Sequence, residues 1–127
     1  LEDVVRFMGF LPNPYPLMQS ADLFCLTSRY ERMPNVLVEA ESLGVPVLST
    51  DCPEGPRDIL KNGTMGTLVP HLDTVAIAAG IEQAMKPDQD RAARTAKAKE
   101  SVLSRFGIGP TTSALEELLI IASQRNQ

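Results

Sequence analysis

Short apolar runs rich in Val, Leu and Phe recur at residues 4–8, 23–26, 45–48 and 67–69, each closed off by Gly, Pro, Asp or Ser. Runs this short and so bounded read as strands. Between them, residues 15–21, 34–43 and 55–60 carry helical period, the last ending before Asn62-Gly63. Strands that alternate with helices cannot pair as hairpins; they form βαβ units and a parallel sheet. The expected fold is therefore α/β, a Rossmann-like parallel sheet with flanking helices.

Beyond residue 69 only helical period continues, at residues 73–85, 88–106 and 112–124, broken by Lys86-Pro87 and by Gly107-Ile108-Gly109-Pro110. This predicts a sheet-bearing unit at 1–86 and a helical C-terminal annex at 87–127 that packs on it. Three or four strands are few for a doubly wound sheet, whose halves contribute three each, so about one βαβ unit is expected upstream. Residues 4–8 look like a strand already under way, which predicts an N-terminally truncated piece with an exposed strand edge.

Composition excludes several function classes. A hydrophobic content of 43% over 127 residues is enough for one aliphatic core. The net charge of −4, with basic residues scattered, gives no footprint for nucleic acid. Cys25 and Cys52 have neither CxxC spacing nor a second histidine nearby, so no metal is expected. No run approaches the roughly 18 apolar residues of a membrane span and no leader opens the chain, which predicts a cytoplasmic protein.

The informative stretch is residues 28–47, where Glu31 and Glu39 stand eight positions apart across a strand, loop and helix junction. Pro34 suits a first helical turn, since its missing N–H would have been unpaired there. On a wheel of about 100° per residue, Val36, Leu37, Ala40, Leu43 and Gly44 share the face expected on the sheet. Glu39 lies at one margin of that face and Glu41 at the other, pointing elsewhere. The open amides around Asn35, Val36 and Leu37 are placed to receive a phosphate, assisted by the helix dipole. A diphosphate there, with a carboxylate on either side to accept hydroxyls, describes a nucleoside-diphosphate sugar.

Glu31, seven residues, Glu39, then Ala40 and Gly44-Val45-Pro46-Val47, resembles the Glu-x7-Glu signature of group-1, family-4-like retaining glycosyltransferases. The run from Ser49 to Leu60, then Asn62-Gly63, Gly66 and Leu68-Val69, continues the same pattern, as do Phe7 and Gly9 before it. The resemblance covers residues 4–85 closely and the later helices loosely. It implies the C-terminal, donor-binding half of a GT-B fold and transfer of a sugar from a nucleoside-diphosphate sugar to a glycan or lipid-linked acceptor with retention. Glu31 would contact the donor sugar as the catalytic candidate, Glu39 would hold the ribose, and the stretch Met33, Pro34, Asn35, Val36 and Leu37 would meet the diphosphate. Gly9 and Phe10 would border the base, and Arg32, standing where glycine is frequent, would add a charge near the diphosphate or project to solvent. No cofactor or metal is implied. The family's upstream Arg and Lys have no counterpart here, nor has the N-terminal acceptor domain, so the chain alone is expected to be inactive. Family company implies polysaccharide assembly, with the full-length protein associated peripherally with the inner face of the cytoplasmic membrane.

Plainer readings stand beside these. Glu31 alone could cap the following helix, and Glu39 alone could be solvated. His71 reads as a loop residue before a helix capped by Asp73. Asp51 and Glu54 read as turn chemistry, with the 53–56 turn lining the crevice as the minority view. Arg57 reads as exposed, and Asn62-Gly63-Thr64 as a turn rather than a glycosylation site. The rival functions are a stand-alone nucleotide-binding or vestigial fragment, a glycoside hydrolase using Glu31 and Glu39 as its carboxylate pair, and an epimerase of the same fold. The hydrolase needs its carboxyl groups about 5–9.5 Å apart around one bond and leaves the phosphate-binding helix start without purpose.

Overall fold

The computed structural model describes residues 3–124, so the outer ends of the expected units 1–86 and 87–127 lie outside it. Three strands, β1 (Phe24–Leu26), β2 (Val47–Thr50) and β3 (Thr67–Val69), form a sheet in the order β1-β2-β3. Both pairings are parallel, with Phe24 opposite Val47 and Leu48 opposite Thr67. Around them lie α1 (Tyr15–Gln19), α2 (Asn35–Leu43), α3 (Pro56–Ile59), α4 (Thr74–Met85), α5 (Arg91–Phe106) and α6 (Ile108–Gln124).

Every residue of the central strand β2 is buried, as expected for a parallel strand covered on both faces. On one face Val47 joins Leu37, Ala40, Val45, Ile59, Leu60 and Val102 in the core, which draws on α2, α3 and α5. On the other face Leu48 and Val69 meet α4. Gly80 makes that approach close, since a Cβ there would lie 2.6 Å from Val69 Cγ1 and 3.0 Å from Leu48 Cδ1. Helix α4 starts where expected, with the Asp73 carboxylate accepting from the Ala76 N–H at 2.9 Å.

The turn from α2 into β2 shows how directly local sequence sets the sheet. Gly44 takes φ +79°, and its N–H donates to Glu41 O while the Val45 N–H donates to Ala40 O. This is a Schellman stop, and the αL residue it needs is the glycine the sequence provides. Val45 then enters the core and Pro46 presents its carbonyl to the Phe24 N–H at 2.9 Å.

Several expectations are corrected. Residues 4–8 form no strand: Phe7 is 97% exposed, and β1 is the sheet edge with no neighbour beyond it among the described residues. An apolar run becomes a strand only when another strand takes up its amides and carbonyls. Pro34 is the N-cap of α2 and not its first turn. Helix α6 begins at Ile108 and runs through Gly109-Pro110, because proline in a first turn forfeits no hydrogen bond. On α2, Val36 is exposed while Glu41, expected at an outward margin, is 1% exposed. A wheel drawn for one packing partner misplaces them, for α2 packs against α5 as well as against the sheet.

Candidate functional site

All three strands run the same way, so their C-terminal ends deliver the loops 27–34, 51–55 and 70–73 to one edge of the sheet. Open α/β sheets bind ligands at that edge. Thr50, at the end of β2, donates its hydroxyl to Ser28 O at 2.6 Å and so pins the loop leaving β1. Ser28 in turn donates from Oγ to Glu31 Oε1 at 2.7 Å. The half-buried Glu31 carboxylate is thereby held ahead of α2 with its second oxygen uncommitted to any hydrogen bond among the described residues.

Gly55 ties the next loop to this one. Its φ is +81°, and a Cβ would fall 2.6 Å from both Arg32 O and Pro34 Cδ, so only glycine lets the two backbones pass so closely. Arg32 does not point inward: its guanidinium lies 3.6 Å from the Glu54 carboxylate, with both side chains largely in solvent. Such a pair is worth about 0–1 kcal/mol, so it orients the loops more than it stabilises them.

Among the described residues, no side chain caps the start of α2. The Asn35 and Val36 amides carry no hydrogen bond among the described residues, whereas the Leu37 N–H donates to Pro34 O at 3.0 Å and the Leu37 side chain is fully buried. The expected donor set Met33 to Leu37 therefore reduces at its inner end: Leu37 is core, and Asn35 and Val36 are open. Glu39 lies four residues into the helix, about 6 Å along its axis, and is half-buried. Glu31, the open helix start and Glu39 thus follow one another from the loop after β1 into the second turn of α2, an arrangement with acceptors at both ends and anion-binding amides between them. Gly9 and Phe10 are not brought to it by any hydrogen bond among the described residues. Phe10 is 91% exposed, and a Cβ on Gly9 would meet no atom within 4 Å.

Beside this region opens a cleft of about 770 Å³ lined by Asp51, Glu54, Arg57, Lys61 and His71, with Arg105 reaching in from α5. The 53–56 turn does line a crevice, and Arg57 is held by the Asp51 carboxylate through two contacts, one from Nε at 3.1 Å. The density of Pro, Gly and charge at 51–58 was the available signal; a turn and a binding loop share that composition. Arg105, 46 residues from Ile59 in sequence, gave none.

The family described as Glycosyl transferases group 1 matches residues 1–101. The chain is 30% identical over 115 residues to the lipopolysaccharide core biosynthesis glycosyltransferase LpsE of Rhizobium meliloti, covering 91% of this chain and 34% of that protein. It is 32% identical over 128 residues to the putative colanic acid biosynthesis glycosyltransferase WcaL of Salmonella typhimurium, covering 94% and 31% respectively. Among solved structures, Anabaena Alr3699/HepE in complex with UDP superposes with a TM-score of 0.86 at 27% identity, over 93% of this chain and 32% of that one. The parallel sheet with flanking helices is that of GT-B glycosyltransferases. The chain spans about a third of the length of each of these three proteins.

Proposed function

Because the chain belongs to the Glycosyl transferases group 1 family, we propose that it is the donor-binding part of an enzyme that transfers a sugar from a nucleoside-diphosphate sugar with retention. The observation that carries this reading is the Glu31 carboxylate, fixed by Ser28 at 2.7 Å, directly ahead of an uncapped α2 start with Glu39 one turn inside. Anabaena Alr3699/HepE, whose structures hold UDP and UDP-glucose, supports a uridine nucleotide as the first donor to test.

In this reading the diphosphate sits on the Asn35 and Val36 amides, Glu39 accepts from the ribose and Glu31 accepts from hydroxyls of the donor sugar. The bond from the anomeric carbon to the diphosphate oxygen breaks and the nucleoside diphosphate leaves with the electron pair. The acceptor oxygen bonds to the anomeric carbon on the same face and gives up its proton to the leaving phosphate or to solvent. Amides aimed at that developing charge act as preorganised electrostatic stabilisers. The metal-free reading rests on these amides, with further cations and the acceptor half supplied by the other two thirds of a full-length protein. Helix α5, within the expected C-terminal annex, braces the same domain. The acceptor is a glycan or lipid-linked saccharide, in keeping with the lipopolysaccharide and colanic acid assignments of LpsE and WcaL, and the full-length protein works at the cytoplasmic face of a membrane. No helix among the described residues is long and apolar enough to cross one.

Calorimetric titration with UDP, GDP and UDP-glucose tests the site. Glu39→Ala should weaken every nucleotide, and Glu31→Ala only those carrying a sugar. Equal affinities for wild type and both variants would reject the reading.

A further inference from the structure

The donor reading leaves the cleft at the ends of β2 and β3 unused. Its volume of about 770 Å³ falls within the range of about 300–1,000 Å³ for small-molecule sites. Its lining is set in donor and acceptor pairs. Arg57 Nε donates to Asp51 Oδ1 at 3.1 Å, and Arg105 Nη2 donates to Asp58 Oδ2 at 3.1 Å. Asn62 and His71 complete the polar rim.

Charge decides the ligand class. Asp51, Glu54 and Asp58 balance Arg57, Lys61 and Arg105, so the lining carries no surplus of cations. A phosphate or nucleic acid would need one. Alternating carboxylates and guanidinium groups suit neutral hydroxyls instead, because each hydroxyl both donates and accepts.

Backbone conformation points to the same place. Four described residues other than glycine have positive φ: Glu54 at 62°, Lys61 at 46°, Asn62 at 56° and Leu72 at 61°. Three line the cleft and the fourth follows its His71. Asparagine adopts this conformation readily; Glu, Lys and Leu do not, and such strain gathers at ligand sites. Through Gly55, packed on Arg32 and Pro34, the cleft adjoins the Glu31 loop.

We propose that this cleft is a saccharide subsite on the acceptor side, binding a sugar unit of the chain that receives the transferred residue. The inference rests on the donor reading given above. Amide chemical-shift mapping on this chain tests it. The probes are methyl α-glucoside, methyl α-galactoside, N-acetylglucosamine and N-acetylgalactosamine, up to their solubility limits, with inorganic pyrophosphate as the anionic comparison. At least one sugar should shift the amides of Asp51, Arg57 and Asn62, equally in the presence of saturating UDP-glucose. Asn62→Gly, which keeps the positive-φ turn and removes only the side-chain amide, should weaken that sugar about tenfold, the equivalent of one hydrogen-bonding group. Lys61→Gly should weaken it without loss of thermal stability.

Competition by UDP-glucose would make the cleft part of the donor-sugar pocket and overturn the proposal, as would pyrophosphate shifting these amides where no sugar does. Normal UDP binding with silent cleft amides overturns the subsite alone. Sugar shifts without any response to UDP would overturn the donor reading and the acceptor role with it.

Discussion

Replacing Glu41 by Met should make the protein more stable, and more so as pH rises. Glu41, on α2, is 1% exposed, and neither carboxylate oxygen has a hydrogen-bond partner among the described residues. Arg105, the cation whose charge acts on it, commits its guanidinium to Ile59 O, Asp58 O and the Asp58 carboxylate. Burial therefore outweighs its attraction and pushes the Glu41 pKa from 4.5 up to about 8. A carboxyl whose pKa is raised in the folded state holds a proton that the unfolded chain releases. Its contribution is complete below pH 4.5 and is lost progressively up to about pH 8. At about 1.4 kcal/mol per pH unit, wild-type stability should fall by about 3 kcal/mol between about pH 5 and about pH 7. Asp88, lowered chiefly by its hydrogen bond from Arg94, acts with the opposite sign and only as pH drops below 3.8, outside this window. Methionine has similar volume and nothing to desolvate, so Glu41→Met should gain about 1 kcal/mol near pH 5 and, with the wild-type loss added, about 4 kcal/mol at neutral pH. Glu41→Gln should flatten the slope. Urea unfolding of the three proteins across this range provides the assay. A wild-type stability that is level or rising from pH 5 to 8, or a destabilised Glu41→Met, would refute the reasoning.

Other substitutions probe the remaining joints. Gly55→Ala should cost about 2–4 kcal/mol in denaturant unfolding, and should weaken UDP binding because the new Cβ displaces the Arg32 carbonyl 2.6 Å away. Gly80→Ala, which drives a Cβ to 2.6 Å from Val69 Cγ1, should cost about 1–3 kcal/mol and leave nucleotide affinity unchanged by calorimetry. Ser28→Ala frees the Glu31 carboxylate; affinity for UDP-glucose should fall by about fivefold, the share of one hydrogen bond, while UDP alone binds as before.

Much of this architecture was legible because its causes are local. Gly44 ends α2 by its conformation, Asp73 starts α4 by its side chain, and the alternation of runs and helices leaves no choice but parallel pairing. The placement of Glu31 in a loop and of Glu39 on a helix was legible because Pro34 and the apolar period that follows it mark where α2 begins. What failed depended on partners distant in sequence. Residues 4–8 have strand composition but no strand beside them. Glu41 reads as an outer-margin carboxylate until α5, some sixty positions later, covers it. The cleft needs Arg105 from α5 to meet Asp58 on α3, and a contact between those segments leaves no mark in either. Leu37 was rightly read as core, and only its amide departs from expectation: it turns back to Pro34, a detail of one peptide plane that helix period does not carry.

The central claim is that the start of α2 holds the diphosphate of a nucleotide, and amide hydrogen exchange at Asn35 and Val36 tests it directly. Neither amide has a partner among the described residues, while the Leu37 N–H already donates to Pro34 O at 3.0 Å. With UDP at about a hundredfold above its dissociation constant, exchange at Asn35 and Val36 should slow by at least about tenfold, with Leu37 little changed. Unaltered exchange at Asn35 and Val36 under those saturating conditions would place the nucleotide elsewhere and contradict the account.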